Sequence, residues 1–362
     1  MKESLHVCVI GAGLAGLACA LAAAMDEVSV DVFDEQATLA RHPAHVDVVP
    51  NLLRDLVSLG VADDCVRAGF PYRGVTLVDD SGRTRFELPT PRLAPLGYPE
   101  ALGLAYGDFI GILARAAHAR GVRLHWQTPV QALHTRGDAT MLRLADGREL
   151  APDLVLLAAG LRSPLRAQAM PSSPAPARLS DDWTCALLPR PRGLDGAMLV
   201  VDQAGPRSWI VPVSASTIGI ALIPNGGRAP GGAAMPAIIQ PLLAHLDACT
   251  PRVVRPMLAS LLPAPWHRGN VLCVGECAHA LPPHLGQSAA QSFEDALVLR
   301  DLLSQGLAPG VLAQRFSERR VPRASQVFEL VCQAARSQLS PDAGTDLRDL
   351  AQRLSRIVAT AA

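Results

Sequence analysis

Hydrophobic positions fall into two periodicities along the chain. Leu5–Ile10 is a short apolar run that stops at Gly11, as a buried parallel strand does. Leu14–Met25, rich in Ala and Leu, reads as a helix. Val28–Phe33 is β-branched and ends at Asp34-Glu35, so a second parallel strand is predicted there. Pro50–Leu59 reads as a helix stopped by Gly60, and Asp108–Arg120 as another stopped by Gly121. Val75–Asp79 and Thr84–Leu88, joined by Asp80-Ser81-Gly82, have the alternation and turn chemistry of a hairpin. Pro89–Pro99 is a Pro-rich crossing segment. Val122–Trp126 and Leu154–Ala159 read as strands, with Val130–Arg136 and Met141–Leu144 forming a small meander between them.

From about residue 166 the texture changes. A linker-like stretch, Pro171–Pro176, precedes strand-like runs at Met198–Asp202, Ser208–Val213 and Thr217–Ile223. A loop is expected at Asn225–Gly232 and a helix at Ala234–Leu246. Asn270–Val274 then returns to a buried strand, followed by a helix from about Ala289 to Leu303 and further helices. The order predicts an α/β protein. Segments 1–70, 99–165 and 267–340 form a discontinuous Rossmann-like domain, a parallel sheet with helices. It is interrupted by a β-sheet-rich domain, 71–98 and 166–266, and followed by a helical tail, 341–362.

Composition narrows this picture. Of the 362 residues, 49% are hydrophobic and 18% charged, which supplies core for two domains. Lys+Arg and Asp+Glu balance at 33 each, so no electrostatic footprint for nucleic acid or an anionic membrane exists. Leu5–Met25 is nearly free of charge, but its glycines and the strand that follows suit a βα unit rather than a leader or a span. A soluble, cytoplasmic protein without an integral membrane segment is expected. The eight cysteines are dispersed among apolar neighbours, as buried reduced thiols are. Cys273, Cys277 and His279 lack the usual metal-ligand spacing, so no metal is expected there.

Gly11-Ala12-Gly13-Leu14-Ala15-Gly16 is a GxGxxG that follows a strand and opens a helix, and Asp34 stands 18 residues beyond Gly16 at the end of the next strand. That context turns a weak motif into a dinucleotide fingerprint. Gly11 permits the tight turn, Gly13 lets backbone approach a diphosphate, and Gly16 lets helix and strand pack closely. The free N–H groups and the positive end of the helix face the phosphates. Asp34 can accept from a ribose diol and disfavours a 2′-phosphate. The motif alone does not separate FAD from NAD.

The second motif is Gly275-Glu276-Cys277-Ala278-His279-Ala280-Leu281-Pro282-Pro283-His284-Leu285-Gly286-Gln287-Ser288, followed by Phe293-Glu294-Asp295-Ala296. With the Pro50-Asn51 helix, the 108–121 helix and Arg319–Val327, it resembles the FAD-dependent aromatic hydroxylases, the group A flavin monooxygenases, and among them those of salicylate and hydroxynicotinate. That resemblance covers most of the chain and implies an aromatic-hydroxylase-like two-domain fold. It implies FAD as cofactor, NAD(P)H as electron donor bound in a surface groove, O₂, and a small aromatic substrate hydroxylated through a flavin C4a-hydroperoxide. Glu276 would contact the ribityl chain, and Pro283, Gly286 and Gln287 would lie beside the flavin. The expected cofactor contacts are Gly11, Ala12, Gly13, Leu14, Ala15, Gly16, Asp34, Glu35, Tyr106, Val130, Gly275, Glu276, Gly286, Gln287 and Ser288. Asp47 stands where nicotinate-type relatives carry a histidine base. With Pro283 and His284 it makes the catalytic set, and His45, Asp47, Trp209 and Pro283 the substrate set. For His279 and His284 an ordinary structural role is the simpler expectation. A homodimer is compatible with the family.

Four departures from the family pattern bear on mechanism. Glu276 replaces the usual Asp, Ala159 stands in place of an acid, Tyr106 in place of an arginine, and His42–Val48 lacks the usual glycines. An oxidase or dehydrogenase on the same fold, or a relative that binds without turnover, are the alternatives these changes leave open.

Overall fold

The computed structural model describes residues 5–26, 28–79, 81–137, 139–200, 207–223, 240–243, 246, 250–339 and 346–362. The expected loop Asn225–Gly232 and most of the expected helix Ala234–Leu246 lie outside them; Gln240–Leu243 is helical.

A six-stranded sheet runs His267–Arg268, Val271–Cys273, Leu154–Leu157, His6–Ile10, Ser29–Phe33, Arg123–His125. Its strands pair in parallel except for the first hairpin. The central strands are apolar on both faces because helices or the meander cover both. Leu14–Ala23 and Gln287–Ser304 pack together over it, and Tyr106–Ala119 packs on the first helix. Small residues allow the approach: a Cβ on Gly16 would lie 1.9 Å from the Gly11 carbonyl oxygen. Gly11 itself, at φ +104°, turns away from the first strand against Ala158.

An eight-stranded sheet runs His279–Ala280, Arg252–Leu261, Ala177–Pro189, Thr217–Ile223, Arg207–Pro212, Ala197–Val200, Val75–Val78, Thr84–Leu88. The hairpin and the three runs expected after residue 197 are here. The long strands Ala177–Pro189 and Arg252–Leu261 were not foreseen; they are neighbours, third and second from one edge of the sheet. Within His42–Val48, the stretch without the family's glycines, His45–Val48 is a strand. It pairs with Ala101–Ala105, which pairs in turn with Phe70–Tyr72. This three-stranded sheet joins the two large ones. The meander is a separate sheet of Val130–Arg136, Ala139–Leu144 and Glu149–Leu150. Helices Pro309–Leu339 and Leu347–Val358 close the base of the molecule. No helix among the described residues is long and apolar enough to cross a membrane.

On one face of the parallel sheet Asp31 binds Arg123 at 2.6 and 2.7 Å, His6 at 2.7 Å and His125 at 2.6 Å. Cys8 Sγ lies 3.7 Å from His6 Nε2. The arginine and both imidazoles occupy the carboxylate, which makes this an ion-pair staple across three strands. Burial alone would raise the Asp31 pKa; its hydrogen bonds and the Arg123 charge outweigh that and hold it well below the usual carboxylate range.

Candidate active site

A cleft of about 890 Å³ opens at the carboxyl ends of the parallel strands, the place where open α/β sheets bind ligands. One end is the glycine-rich turn, Gly11–Ala15. The helix that follows begins at Gly13 with no side-chain cap, so its first-turn amides face the cleft. A Cβ on Gly11 would meet the Ala158 carbonyl oxygen at 2.7 Å, whereas a Cβ on Gly13 would meet nothing within 4 Å. Gly11 and Gly16 are therefore required by the fold. Gly13, in ordinary extended backbone at φ −76°, is required only by something that occupies the cleft. This cradle fits a dinucleotide diphosphate.

Asp34 borders the same end. Its carboxylate accepts from the Ala12 amide at 2.7 Å and the Gln36 amide at 2.8 Å, so it first holds the turn against the second strand and offers its remaining lone pairs outward. Glu35, Tyr106, Val130, Glu276, Gly286 and Ser288 also line the cleft. Tyr106 stands beside Glu276, its ring 5.4 Å from that of His42; burial first, then the Glu276 charge, pushes its hydroxyl up to about 12. Gly286 is left-handed at φ +63°, and an added Cβ would strike Val49 at 2.5 Å, so the backbone turns sharply there against the wall that carries Asp47.

Gly16, Gly275 and Gln287, expected at the cofactor, do not line the cleft. The Gln287 side chain is buried against Asn51, with amide contacts of 3.2 and 3.3 Å. Gly275 instead donates its amide to Asp295 Oδ2 at 2.8 Å. That carboxylate also takes His279 Nε2 at 2.7 Å and Arg320 Nε at 2.7 Å. Burial works to raise the Asp295 pKa, but His279 and Arg320 hold it at about 2. Arg320 and Arg323 share Glu294 at 3.0 and 2.8 Å, and Glu294 touches Asn51 at 3.5 Å. This buried charge cluster fixes the turn that presents Glu276. Its arginines sit in the Arg319–Val327 segment, whose role the sequence left unassigned. His279 is thus tied up structurally, and Cys277 Sγ contacts the Gly160 carbonyl at 3.3 Å, so the two do not converge on a metal.

The opposite wall comes from the eight-stranded sheet. Trp183, Cys185, Trp209, Ala221, Ile223 and Met257 face the cleft, with Arg255 beside Trp183 in the strand register. Asp47, His45 and Pro283 complete it. His284 does not: it is 4% exposed and lies off the cleft wall, a correction to its expected place beside the substrate. Asp47 accepts a hydrogen bond from the buried Tyr72 hydroxyl, a partner that sequence reasoning missed. Burial raises the Asp47 carboxyl to about 6, against the Tyr72 bond, which lowers it. Ala159, where relatives carry an acid, also lines the cleft.

A glycine cradle at the carboxyl ends of a parallel sheet, facing a Trp-lined antiparallel sheet across one cleft, defines a flavin-binding oxidoreductase. Residues 4–189, just over half the chain, match the family described as FAD binding domain, and the chain belongs to that family. It is similar to the 6-hydroxynicotinate 3-monooxygenase of Bordetella bronchiseptica (strain ATCC BAA-588 / NCTC 13252 / RB50), 27% identical over 351 residues, 90% of each chain. It is also similar to the putative FAD-dependent monooxygenase YetM of Bacillus subtilis (strain 168), 22% identical and covering 94% of this chain and 96% of that one. Among solved structures, the tetrameric form of 2-methyl-3-hydroxypyridine-5-carboxylic acid oxygenase shares the fold at TM-score 0.84 and 20% identity, with 99% and 96% covered. Klebsiella pneumoniae HpxO complexed with FAD and uric acid shares it at 0.82 and 21%, with 99% and 94% covered. The chain is thus an FAD-binding protein, and both relatives named above carry the name monooxygenase.

Proposed function

We propose that this enzyme hydroxylates a small aromatic ring bearing an ionisable hydroxyl, with NAD(P)H as electron donor and O₂ as oxygen source: ring C–H, O₂, NAD(P)H and a proton give ring C–OH, water and NAD(P)⁺. The observation that carries this reading is Asp47 on the cleft wall between the glycine cradle and the tryptophans, with the buried Tyr72 hydroxyl donating to it from behind. FAD, when bound, supplies electron storage and O₂ activation. The chain's residues supply the rest. Backbone amides from Gly11–Ala15 would hold the diphosphate, Asp34 the ribose and Glu276 the ribityl chain, and Pro283, Gly286 and Ser288 would border the ring system. Trp183 and Trp209 give the substrate one aromatic wall and help to exclude water. Asp47 takes the hydroxyl proton, making the ring electron-rich, and Tyr72 aims the carboxylate. A carboxyl at about 6 is ionised at neutral pH yet a stronger base than an ordinary aspartate.

The test is the pH profile of kcat/KM. An acidic limb near 6 is expected. Asp47→Asn lowers kcat/KM by about 10²–10⁴ and removes the limb. Tyr72→Phe removes the bond that lowers the Asp47 pKa, so the limb moves to higher pH. An Asp47→Asn profile identical to wild type would remove Asp47 from the mechanism. Ala159 on the cleft wall favours a second reading, oxidation without oxygen insertion. NAD(P)H consumption that yields hydrogen peroxide and no hydroxylated ring, whatever the substrate, would select it.

A further inference from the structure

We infer that His45 is the specificity-determining residue of this cleft: its Nε2–H donates to a second acceptor on the ring, apart from the hydroxyl that Asp47 handles. The substrate class is then a hydroxylated ring with a built-in acceptor, a ring nitrogen or a carbonyl oxygen. This rests on the monooxygenase reading above and refines it.

Strand geometry sets the pair. His45 and Asp47 are two residues apart on His45–Val48, so their side chains leave the same face about 7 Å apart. Both line the cleft. Their register is fixed by His45↔Ala105 and Asp47↔Gly103, and Gly103 is itself pinned, since an added Cβ would lie 2.2 Å from the Pro212 carbonyl oxygen.

The orientation of the imidazole follows from Gly219. A Cβ there would lie 2.2 Å from His45 Cγ and 2.3 Å from Nδ1, so the Cγ–Nδ1 side of the imidazole is pressed against a glycine that makes room for it. Nδ1 is buried on that side with no hydrogen-bond partner among the described residues. A buried N–H without an acceptor is less tolerable than a bare lone pair, which places the proton on Nε2, the nitrogen on the cleft side. Burial also keeps the ring neutral, lowering its pKa to about 4. His45 is thus a fixed neutral donor beside a fixed anionic acceptor. A ring whose hydroxyl is its sole polar group would close the cleft over an unpaired Nε2–H, and that rejects it by about 10- to 100-fold.

The experiment titrates matched ligands into the FAD-loaded enzyme and reads the dissociation constant from the flavin absorbance change: 3-hydroxypyridine against phenol, and 6-hydroxyquinoline against 2-naphthol. In each pair the wild type should favour the nitrogen-bearing ring at least tenfold. His45→Leu should abolish that preference while leaving FAD affinity unchanged, and His45→Gln, which keeps an N–H, should restore part of it. Equal affinities within the wild-type pairs overturn the inference, and this comparison decides even if the variants do not fold. So does a preference that survives His45→Leu, or a loss of FAD affinity in its place, which would put Nε2 on the cofactor. A holoenzyme that binds none of the four rings, and whose NAD(P)H oxidation none of them accelerates, sinks the monooxygenase reading as well. Equal binding with turnover of both members sinks this inference alone.

Discussion

Asp47 shows how a single buried side chain sets both chemistry and stability. Its carboxyl lies at about 6, against 3.8 for an ordinary aspartate, so the native state holds the proton across that window while the unfolded chain has released it. Stability therefore falls as pH rises from about 4 to about 6, and the penalty is complete above that. Asp47→Asn removes the buried charge and keeps an acceptor for Tyr72. It should stabilise the protein by up to about 3 kcal/mol at pH 7.5, roughly two pH units at about 1.4 kcal/mol each, with the gain vanishing below about pH 4. Denaturant unfolding at pH 4.0 and 7.5 measures it, and an equal gain at both would show that Asp47 is not the strained group. Asp47, His45 and Trp209, expected beside the substrate, do line the cleft, and for Asp47 the family resemblance rather than any local pattern pointed there. Tyr72 was not, since its place depends on the pairing of Phe70–Tyr72 with Ala101–Ala105, which nothing local encodes. His284 was misplaced because the left-handed residues Leu285 and Gly286 turn the chain just after it, so adjacency in the motif did not become adjacency in space.

Elements with a clean period were read almost to the residue: Thr217–Ile223, the helix starting at Leu14 and the meander strand Val130–Arg136. Ala177–Pro189 and Arg252–Leu261 were missed because arginine, aspartate and proline interrupt their alternation. They hold as strands because they pair with each other and because Thr184–Pro189 also pairs with the apolar Thr217–Ile223, a tertiary effect that overrides propensity. The helix Gln287–Ser304 was foreseen, but its function as an anchor was not. Its Glu294 and Asp295 take the buried Arg320, and Asp295 reaches back to the Gly275 amide. Arg320→Met should cost about 3–5 kcal/mol, the cost of stranding buried carboxylates. It should also weaken FAD binding by freeing the turn that carries Glu276. Thermal unfolding and a flavin titration of the same variant check both. A variant as stable as wild type would mean that the cluster does not hold the helix to that turn.

At the scale of the whole molecule, two large sheets from interleaved segments face each other across one cleft, and neither sheet alone contains a complete site. The glycine cradle, Asp34 and Glu276 belong to the parallel side; Trp183, Trp209 and Arg255 belong to the other; Asp47 and His45 ride on the small sheet between them. The charges of the chain balance at 33 each, so its net charge adds no long-range steering beyond the local charges of the cleft. The broad architecture was legible because parallel strands and glycine punctuation are local signals. The joining sheet was not, since it pairs residues 45–48, 70–72 and 101–105, which two helices and a hairpin separate along the chain.

The measurement that bears most directly on this account compares apo and FAD-saturated Gly13→Val with wild type by thermal unfolding and flavin titration. Gly13 is the one glycine of the fingerprint whose side-chain direction is open. The apo variant should unfold within a few degrees of apo wild type and lose at least a hundredfold in FAD affinity. It should also lose the stabilisation that FAD gives wild type, about 2.7 kcal/mol at a hundred times the dissociation constant. A variant that binds FAD as tightly as wild type would contradict the assignment of this cradle to the flavin diphosphate.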